Sequence, residues 1–468
     1  MSAISGKRIF AASAVALSLL ASPANAESCR VGAVRDLFAY EGQTQIVLDV
    51  EAAMARAQAT HGVIPAKAAQ DITSKARVEL IPQVQFDAAY SIVNHRMVAL
   101  LNVWRGSLSD AGDQYVHFGA TTVDIYGTAT VIQIDRSLQT LDGCMVNAIG
   151  TMSSLAAAHI GTPMIGRTLG QHAQPITFGK KVSAWIGEYA RHRERIAELR
   201  ARVIRSASLK GPVGNYSGLG DQAIEVERSF AKELGLDGSE LADWSGTRDV
   251  IAEYGMVLGL IARSHQRIGQ ELFLLQGTDI GEVREAQRTG VVGSSSMPHK
   301  RNPRAPERLV HAGRIIPRLA EVLGDDVVNL FERDNTSRLT PIIEDISIAS
   351  VDAARRLNSL LAGLEVDEAR LLSNIDRTRG FAMSQRVALA LSQHMRRKDA
   401  EQLTKAVIAD AVRADIDFID ALLADPKVTA HLDQAQLTRL LDPTIIGAPA
   451  IEQVEQIIAE AQADGASQ

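Results

Sequence analysis

Apolar residues recur at helical spacing over long stretches of this chain, and that periodicity constrains the fold more than any other feature. From Val250 the apolar positions advance in steps of three, four or seven through Tyr254 to Leu275. A second series runs from Val182 to Val203 with the same spacing. Such patterns predict long helices that pack one face into a bundle. Convincing alternating stretches are hard to find, so we predict an all-α fold.

The chain has 468 residues, which is too long for one simple core and predicts two or three domains. We place an N-terminal helical domain at residues 27–126, a central long-helix bundle at 127–374 and a C-terminal helical domain at 375–468. The net charge of −6 argues against nucleic acid and anionic membrane surfaces as partners. After the N-terminus no apolar stretch is long enough to span a membrane.

Residues 1–26 have the layout of a secretory signal peptide. Lys7 and Arg8 precede a long apolar run, and Ala24 to Ala26 read as a small-x-small cleavage site. We therefore expect cleavage near Ala26 and a periplasmic or secreted mature protein. An uncleaved anchor and a wrongly assigned start are the alternatives.

Two cysteines are present, Cys29 and Cys144. An oxidising compartment would permit one disulfide between them, and their separation in sequence leaves the pairing open. Two cysteines cannot form a structural zinc site by themselves. Because the sequence has no metal-ligand cluster and no nucleotide fingerprint, we expect no cofactor.

The segment from Gly293 to Pro303 reads GSSSMPHKRNP and is the most informative motif of the chain. Its Gly/Ser run leaves backbone N–H groups free to cradle an anion. Lys300 adds a positive charge, and Asn302 adds a carboxamide that does not titrate. Together they suit a mobile loop that closes over a carboxylate substrate and excludes water. Composition alone favours an ordinary surface loop.

Two further polar islands interrupt the apolar helices. Residues 117–124 read HFGATTVD, and the adjacent Thr121 and Thr122 can bind an anion at a helix start. Taken alone, a helix N-cap is the simpler interpretation of these threonines. Residues 166–179 read GRTLGQHAQPITFG and precede a long predicted helix. His95 lies on an otherwise apolar helix face, where a lone histidine is more often a core residue than a catalyst.

Read together, the three islands resemble the fumarase/aspartase superfamily. The loop resembles its GSSxMPxKxNP signature, HFGATTVD resembles its HxGxTSxD element, and GRTLGQHAQPITFG is similar to its GRTHxQxAxPxTFG element. The resemblance covers essentially the whole chain after residue 26. It is greatest to the branch that holds adenylosuccinate lyase and 3-carboxy-cis,cis-muconate cycloisomerase. A signature this long and irregular does not arise readily by chance, so the surface-loop alternative is set aside.

The resemblance implies an α-helical homotetramer whose core is a large bundle formed by the central domains. It also implies active sites where three subunits meet, each subunit contributing one island. By position in the motif, Ser294 matches the catalytic base, and Lys300 and Asn302 match the carboxylate-binding pair. The implied chemistry removes a proton from a carbon next to a carboxylate. The loop would stabilise the resulting doubly charged aci-carboxylate.

The other two islands carry the remaining implied binding residues. By the same correspondence, Thr121 and Thr122 match a second anion site. Thr168 and Gln171 are expected to line the substrate pocket. The partner implied throughout is a small di- or tricarboxylate.

One position departs from the family pattern. The GRTH element places a histidine where Leu169 stands, and the resemblance implies that this histidine is a general acid in amine-releasing members. A leucine cannot donate a proton. A carboxylate leaving group has a pKa of about 4 and departs without an acid, so Leu169 favours a good leaving group such as a lactone carboxylate. His95 stands where adenylosuccinate-type members have a His-Asp pair, so it is the alternative acid.

Three functions are compatible with these residues. The first is an exported lyase that eliminates across a bond beta to a carboxylate and gives fumarate or a related unsaturated acid. The second is a cycloisomerase that opens or closes a carboxymuconolactone-type ring. The third is a catalytically inactive relative with a binding role. Intact Ser294, Lys300 and Asn302 argue against the third function, whereas Leu169 argues for it.

Overall fold

The computed structural model describes residues 29–242, 247–287, 290, 293–328, 330–333 and 339–466. The predicted signal peptide, residues 1–26, lies outside these described residues. Within the described ranges, no helix is both long and apolar enough to cross a membrane. Helices dominate the fold, which confirms the all-α class predicted from the periodicity.

The N-terminal region packs short helices around one long helix, α2, in which more than half of the residues are buried. Its buried positions include many alanines, whose small side chains let neighbouring elements approach on several sides. A 3₁₀ turn follows at Val78–Leu80. The helices are α1 (Val31–Phe38), α2 (Tyr40–Thr60), α3 (Ala66–Ser74), α4 (Gln83–Val93), α5 (Arg96–Arg105) and α6 (Asp110–Tyr115).

Long helices form the central bundle, with one short helix, α9, packed against the N-terminal region instead. The two helices predicted from apolar spacing are confirmed by α8 and α10, and most of the residues in each series are buried. The helices of this part are α7 (Thr122–Ala158), α8 (Phe178–Val203), α9 (Ala223–Glu233), α10 (Asp249–Leu275), α11 (Arg304–Asp325) and α12 (Thr340–Ala362).

Shorter helices build the C-terminal region, which has its own small apolar cluster around Phe418. The last helix leaves this cluster and packs back on the bundle, where it buries Val454. A 3₁₀ turn at Phe381–Met383 begins the region's main helices. The helices are α13 (Glu368–Asp376), α14 (Ser384–Leu391), α15 (Arg397–Ala414), α16 (Phe418–Ala424), α17 (Pro426–Thr429), α18 (Gln434–Leu441) and α19 (Ala448–Ala466).

Two small antiparallel sheets interrupt the helical pattern in the described chain. Strands β1 (Pro163–Thr168) and β2 (Gln171–Thr177) form a hairpin between α7 and α8. Strands β3 (Val283–Glu285) and β4 (Leu364–Val366) pair farther along the chain. The hairpin was not predicted from the sequence, and it carries the GRTLGQ segment.

The apolar core divides into three clusters of buried residues, one each for the N-terminal region, the bundle and the C-terminal region. The clusters do not follow chain order strictly. Val34 belongs to the bundle cluster, and Phe230 belongs to the N-terminal one. The domain limits at 126 and 374 stay a prediction.

A disulfide joins Cys29 to Cys144, the pairing that the sequence left open. It ties the start of the described chain to the middle of α7, and Asn358 of α12 donates to the carbonyl oxygen of Cys144 at 3.1 Å. The two cysteines lie 115 residues apart in sequence. A cross-link over a loop of that size stabilises the fold by about 5 kcal/mol if it acts by restricting the unfolded chain.

Candidate active site

The start of α7 holds the first group of predicted site residues. Thr121 is the N-cap, and Thr122 is the first helical residue. Asp124 closes a capping box, because its carboxylate accepts the backbone N–H of Thr121 at 2.9 Å. The helix start thus presents two hydroxyls and the positive end of a helix dipole within one turn, which suits an anion.

The Asp124 carboxylate also fixes the loop that follows α8. It accepts the backbone N–H groups of Lys210 at 3.0 Å and Gly211 at 3.1 Å. Burial raises the pKa of Asp124, although its backbone hydrogen bonds oppose that shift. The Lys210 ammonium is itself buried and donates to both oxygens of Glu227 and to the hydroxyl of Tyr216. Buried polar groups on three segments therefore hold this helix start rigidly.

His117 lies beside the same helix start in an unusual backbone conformation. Its φ is +59°, in the left-handed region, and Gly119 also has positive φ. The ring Nδ1 lies 2.6 Å from Oε1 of Glu51, whose side chain is fully buried in α2. Burial of the ring opposes protonation, but the charge and hydrogen bond of Glu51 outweigh it and raise the pKa of His117. His117, Thr121, Thr122 and Asp124 are called the threonine end below.

His95 occupies a different position from the one the sequence predicted. It is the N-cap of α5, outside the helix, and its ring Nδ1 accepts the backbone N–H of Val98 at 3.4 Å. Its side chain is exposed, and in the described part of the chain it contacts no carboxylate. The next residue, Arg96, lies over the ring of Tyr126 in the first turns of α7. His95 therefore lies in the neighbourhood of the threonine end, but nothing orients it as an acid.

Thr168 and Gln171 are the closing pair of the β1–β2 hairpin. The two residues between them, Leu169 and Gly170, both have positive φ, as a tight two-residue hairpin turn requires. Leu169 is 101% exposed, so the side chain at the missing acid position contacts none of the residues that the structure describes. Both predicted pocket residues therefore project at the end of an extended arm.

A buried ion pair anchors the base of that arm. Arg167 donates to both oxygens of Glu282, at 2.9 and 2.6 Å, and the Glu282 side chain is fully buried. Asn374 of α13 donates to the same carboxylate at 2.8 Å. Bidentate geometry with a third donor satisfies most of the carboxylate's hydrogen-bonding capacity, which a buried charge requires. The hairpin is thereby tied to the chain that leads into β3.

The GSSSMPHKRNP loop starts and ends near β3. Glu285, the last residue of β3, accepts the backbone N–H groups of Arg304 and Ala305 at the start of α11, at 2.8 and 3.0 Å. Within the loop, Asn302 donates to the carbonyl oxygen of Gly293 at 3.2 Å. A Cβ at position 293 would lie 2.4 Å from the carbonyl oxygen of Lys300, so only glycine fits there.

The reactive side chains of this loop are accessible. The Ser294 hydroxyl is partly buried and accepts the backbone N–H of Met297 at 3.2 Å. Lys300 and Asn302 are exposed. Through Glu282 and Arg167 the loop shares one end of the bundle with the hairpin. Thr168, Gln171, Ser294, Lys300 and Asn302 are called the hairpin end below.

The threonine end and the hairpin end are far apart in one chain. Helix α7 begins at Thr122 and has 37 residues, and the hairpin follows its last turn. A helix of that length spans about 55 Å at 1.5 Å per residue. Even if the hairpin folded straight back along α7, about 35 Å would remain, since six strand residues cover about 20 Å. One small substrate cannot contact both ends of the same chain.

The motifs name the predicted site residues but not the buried carboxylates that hold the segments around them. Glu51, Glu227 and Glu282 lie in segments that look like ordinary helix or loop, and their partners are 66, 17 and 115 residues away in sequence. A weak signal existed for Glu51, since a carboxylate on a largely apolar helix face requires a partner. The arrangement as a whole is the one that the resemblance to a superfamily of helical lyases implies, with the predicted site residues on separate polar islands.

Comparison with known proteins agrees with this class. Residues 30–316 match a family described as Lyase, and residues 380–457 match the Adenylosuccinate lyase C-terminus family. The 3-carboxy-cis,cis-muconate cycloisomerase of Pseudomonas aeruginosa is 34% identical over 438 residues, which cover 92% of this chain and 95% of that protein. The N-acetyl-S-(2-succino)cysteine lyase of Enterococcus italicus is 30% identical, with 92% and 95% covered.

A solved structure is similar over the same length. The crystal structure of 3-carboxy-cis,cis-muconate lactonizing enzyme from Pseudomonas putida aligns with a TM-score of 0.84 and 31% identity, covering 92% of this chain and 97% of that one. The chain therefore belongs to the fumarase/aspartase superfamily, and it is an enzyme of the lyase type.

Proposed function

We propose that the chain is an exported homotetrameric lyase that takes a small di- or tricarboxylate and eliminates across a bond beta to a carboxylate. The product would be fumarate or a related unsaturated acid. One observation carries the proposal: the two ends that hold the motif residues lie at opposite ends of a helix spanning about 55 Å. Reactive islands that complement each other chemically and cannot meet in one chain favour a site shared between copies.

The surface of the bundle supports assembly. Exposed apolar side chains recur at helical spacing on two adjacent bundle helices, Met256, Leu260 and Leu274 on α10 and Ile315 and Val322 on α11. Each is between 38% and 57% exposed in the single chain. An apolar face of this kind on a long helix marks a protein–protein contact, and a second copy of the chain brings the matching helices.

In the proposed reaction, Ser294 takes the proton from the carbon next to the substrate carboxylate. Negative charge then develops on the carboxylate oxygens, and Lys300 and Asn302 stabilise it by charge and by hydrogen bonding. The threonine end of another copy receives a second carboxylate at the positive end of the α7 dipole. Closure of the loop over the substrate would exclude water and strengthen each of these contacts.

Leu169 shapes the second half of the reaction. Its side chain has no proton to give, so at this position of the hairpin the site offers no acid to the leaving group. The proton must come from elsewhere, or the leaving group must depart as a stable anion. A lactone carboxylate departs in that way, and this supports the second candidate, a cycloisomerase acting on a carboxymuconolactone-type ring. The 34% identity to a carboxymuconate cycloisomerase points in the same direction.

Two observations support export. Residues 1–26 have the order of basic, apolar and small residues that signal peptides share. The Cys29–Cys144 disulfide forms and persists in an oxidising compartment, such as the periplasm. We therefore propose a periplasmic or secreted mature protein that begins near Glu27 and meets its substrate outside the cytosol.

A substrate panel tests the function. The purified protein is incubated with succinyl-amines, succinyl-thioethers and 3-carboxymuconate, and absorbance of the conjugated double bond is followed. Appearance of fumarate supports elimination, whereas loss of muconate absorbance supports the cycloisomerase. No change with any compound, from protein that is folded and tetrameric by light scattering, would contradict both catalytic proposals.

A further inference from the structure

His117 and Glu51 form a pair that the reaction outlined above does not use. Nδ1 of His117 and Oε1 of Glu51 are 2.6 Å apart, and the Glu51 side chain has no solvent exposure. An ionised carboxylate only accepts hydrogen bonds, so the proton of this contact belongs to Nδ1. The other oxygen, Oε2, is buried and finds no partner among the described residues. Burying a carboxylate whose only partner is one histidine costs free energy unless that histidine carries a positive charge.

The groups around the ring favour the imidazolium form. Glu51 on α2 and Asp124 on α7 both raise the pKa of His117, whereas burial of the ring and the guanidinium of Arg105 on α5 lower it. The carboxylates prevail, and the pKa lies above that of an ordinary histidine. The ring therefore keeps a second, transferable proton on Nε2 up to a higher pH than an ordinary histidine does.

Nε2 is the accessible side of the ring. Nδ1 contacts the fully buried carboxylate of Glu51, yet the His117 side chain is still 16% exposed to solvent. The exposed edge must therefore include the opposite nitrogen, which makes no hydrogen bond to the described residues. The backbone turn at φ +59° places this ring four residues before Thr121, at the end of the bundle that would receive a substrate anion.

We propose that His117, oriented by Glu51, donates the proton that the leaving atom takes up, and so replaces the acid missing at Leu169. This inference rests on the proposed elimination. Ser294 of one copy removes the proton next to the carboxylate, and that electron pair forms the new carbon–carbon double bond. The bond to the leaving atom breaks with its electron pair, which takes the proton from Nε2 of His117 in another copy. Water then reprotonates His117 and accepts the proton from Ser294.

The position of His117 suits this role better than that of His95. A base and an acid that act on adjacent carbons work best from opposite sides of the substrate, and the two ends come from different copies. His95 accepts a backbone N–H through Nδ1, and in the described chain no carboxylate holds its ring. His117 has both an orienting carboxylate and a free nitrogen. Glu51 acts through His117 and is a positioning residue.

The test is His117→Asn, measured on two classes of substrate. Asparagine tolerates positive φ better than other side chains, so the turn should persist. We expect kcat to fall about a hundredfold or more with succinyl-amines and succinyl-thioethers, since their leaving atoms need a proton. With a lactone carboxylate as leaving group, the loss should stay below about tenfold. His431→Asn, on an exposed histidine of the C-terminal region, is the matched control.

Glu51→Gln tests whether Glu51 orients and charges the His117 ring or only stabilises the fold. The wild-type rate on amine substrates should fall as pH rises through the raised pKa of His117, and Glu51→Gln should move that fall to lower pH. The same shift should appear in the NMR titration of the His117 ring, which does not depend on turnover or on full stability of the variant.

The outcomes distinguish the inference from the function on which it rests. If wild-type enzyme eliminates amines and His117→Asn does so equally fast, the inference is wrong and the elimination stands. If wild-type enzyme reacts only with carboxylate leaving groups, no proton donor is used, and the inference is again wrong. If the wild-type protein converts no compound, the proposed function fails and the inference fails with it.

Discussion

The threonine end and the hairpin end of α7 are built in opposite ways. At the threonine end, charged side chains are buried and paired: Asp124, Lys210, Glu51 and Glu227 are each at most 2% exposed. At the hairpin end, one buried ion pair, Arg167–Glu282, holds the base, while the predicted site residues themselves lie on an arm and a loop. One end is held by buried polar contacts, and the other presents its predicted site residues on largely exposed segments.

This difference suggests a division of labour. Groups that must bind an anion in a set geometry gain from a rigid, satisfied polar network. Groups that must close over a substrate and open again belong on elements with few buried contacts. The proposed tetramer would combine one end of each kind and so obtain both properties in the same site.

The largest expected effect comes from removing the proposed base at the hairpin end. Ser294→Ala should lower kcat by more than about a hundredfold, because a positioned base contributes at least that much. The hydroxyl makes one loop contact, to Met297, so the unfolding temperature should not change. Ser295→Ala, at the exposed neighbouring serine, is the control and should retain activity. A loss in the control instead would move the base to position 295.

At the threonine end, replacing a single side chain should lower the stability of the fold as well as the activity. Asp124→Ala leaves three backbone N–H groups without their acceptor, and buried donors without partners cost about 1–3 kcal/mol each. We expect a loss of about 3 kcal/mol of stability together with lower activity. Thermal unfolding, compared with that of Asp87→Ala on the exposed face of α4, measures it. Equal unfolding temperatures for the two variants would mean that the network does not hold this end.

The buried histidines inside the bundle, between the two ends, should make the protein less stable in acid. Burial lowers the pKa of His192 to about 4 and that of His265 to about 3. Histidines whose folded pKa lies below the unfolded value of about 6.5 stabilise the fold above that pH and lose this contribution as pH falls. Going from pH 7 to 5 should therefore cost about 2 kcal/mol for each histidine.

The pKa shift of His117 has the opposite sign, so this residue should affect stability in the opposite direction as pH changes. Its pKa is raised, so its contribution is present below pH 6.5 and is lost as pH rises through the folded value. Denaturant unfolding of the His192→Gln protein and of the wild type, at pH 5 and at pH 7, measures what His192 contributes to the pH dependence of stability. If acid weakened wild type and this variant equally, His192 would not be the cause.

The smallest effect on stability should come from the tip of the hairpin. Leu169→Ala removes a side chain that is fully exposed among the described residues, and such changes usually stay within about 0.5 kcal/mol. Because leucine supplies no proton, turnover of a substrate with a carboxylate leaving group should change by less than about tenfold. Calorimetry measures the change in stability, and initial rates measure the change in turnover. A hundredfold loss of rate would show that Leu169 has a specific role in the site.

The two ends also differ in how far the sequence predicts them. Apolar spacing was enough for α8 and α10, because long amphipathic helices repeat one signal many times. The resemblance located Thr121 and Ser294 but not the hairpin around Leu169, whose strands are short and whose turn puts a leucine at positive φ. The adjacent Gly170 was the available turn signal.

Long-range polar partners were the least predictable part. Glu51 and His117 are 66 residues apart, and Arg167 and Glu282 are 115 apart. Nothing in local periodicity encodes which buried carboxylate meets which base, since that depends on the packing of whole helices. The sequence predicts His95 on an otherwise apolar helix face, whereas α5 begins one residue after it, at Arg96. Periodicity therefore predicts elements well and their polar contacts poorly.

Complementation between inactive variants tests the shared site most directly. Ser294→Ala carries an intact threonine end, and a Thr121→Ala/Thr122→Ala protein carries an intact hairpin end. Coexpressed in equal amounts, they should form mixed tetramers in which about a quarter of the sites combine two wild-type ends, with activity to match. Mixed tetramers no more active than either variant alone, or a fully active wild-type monomer, would contradict a site shared between subunits.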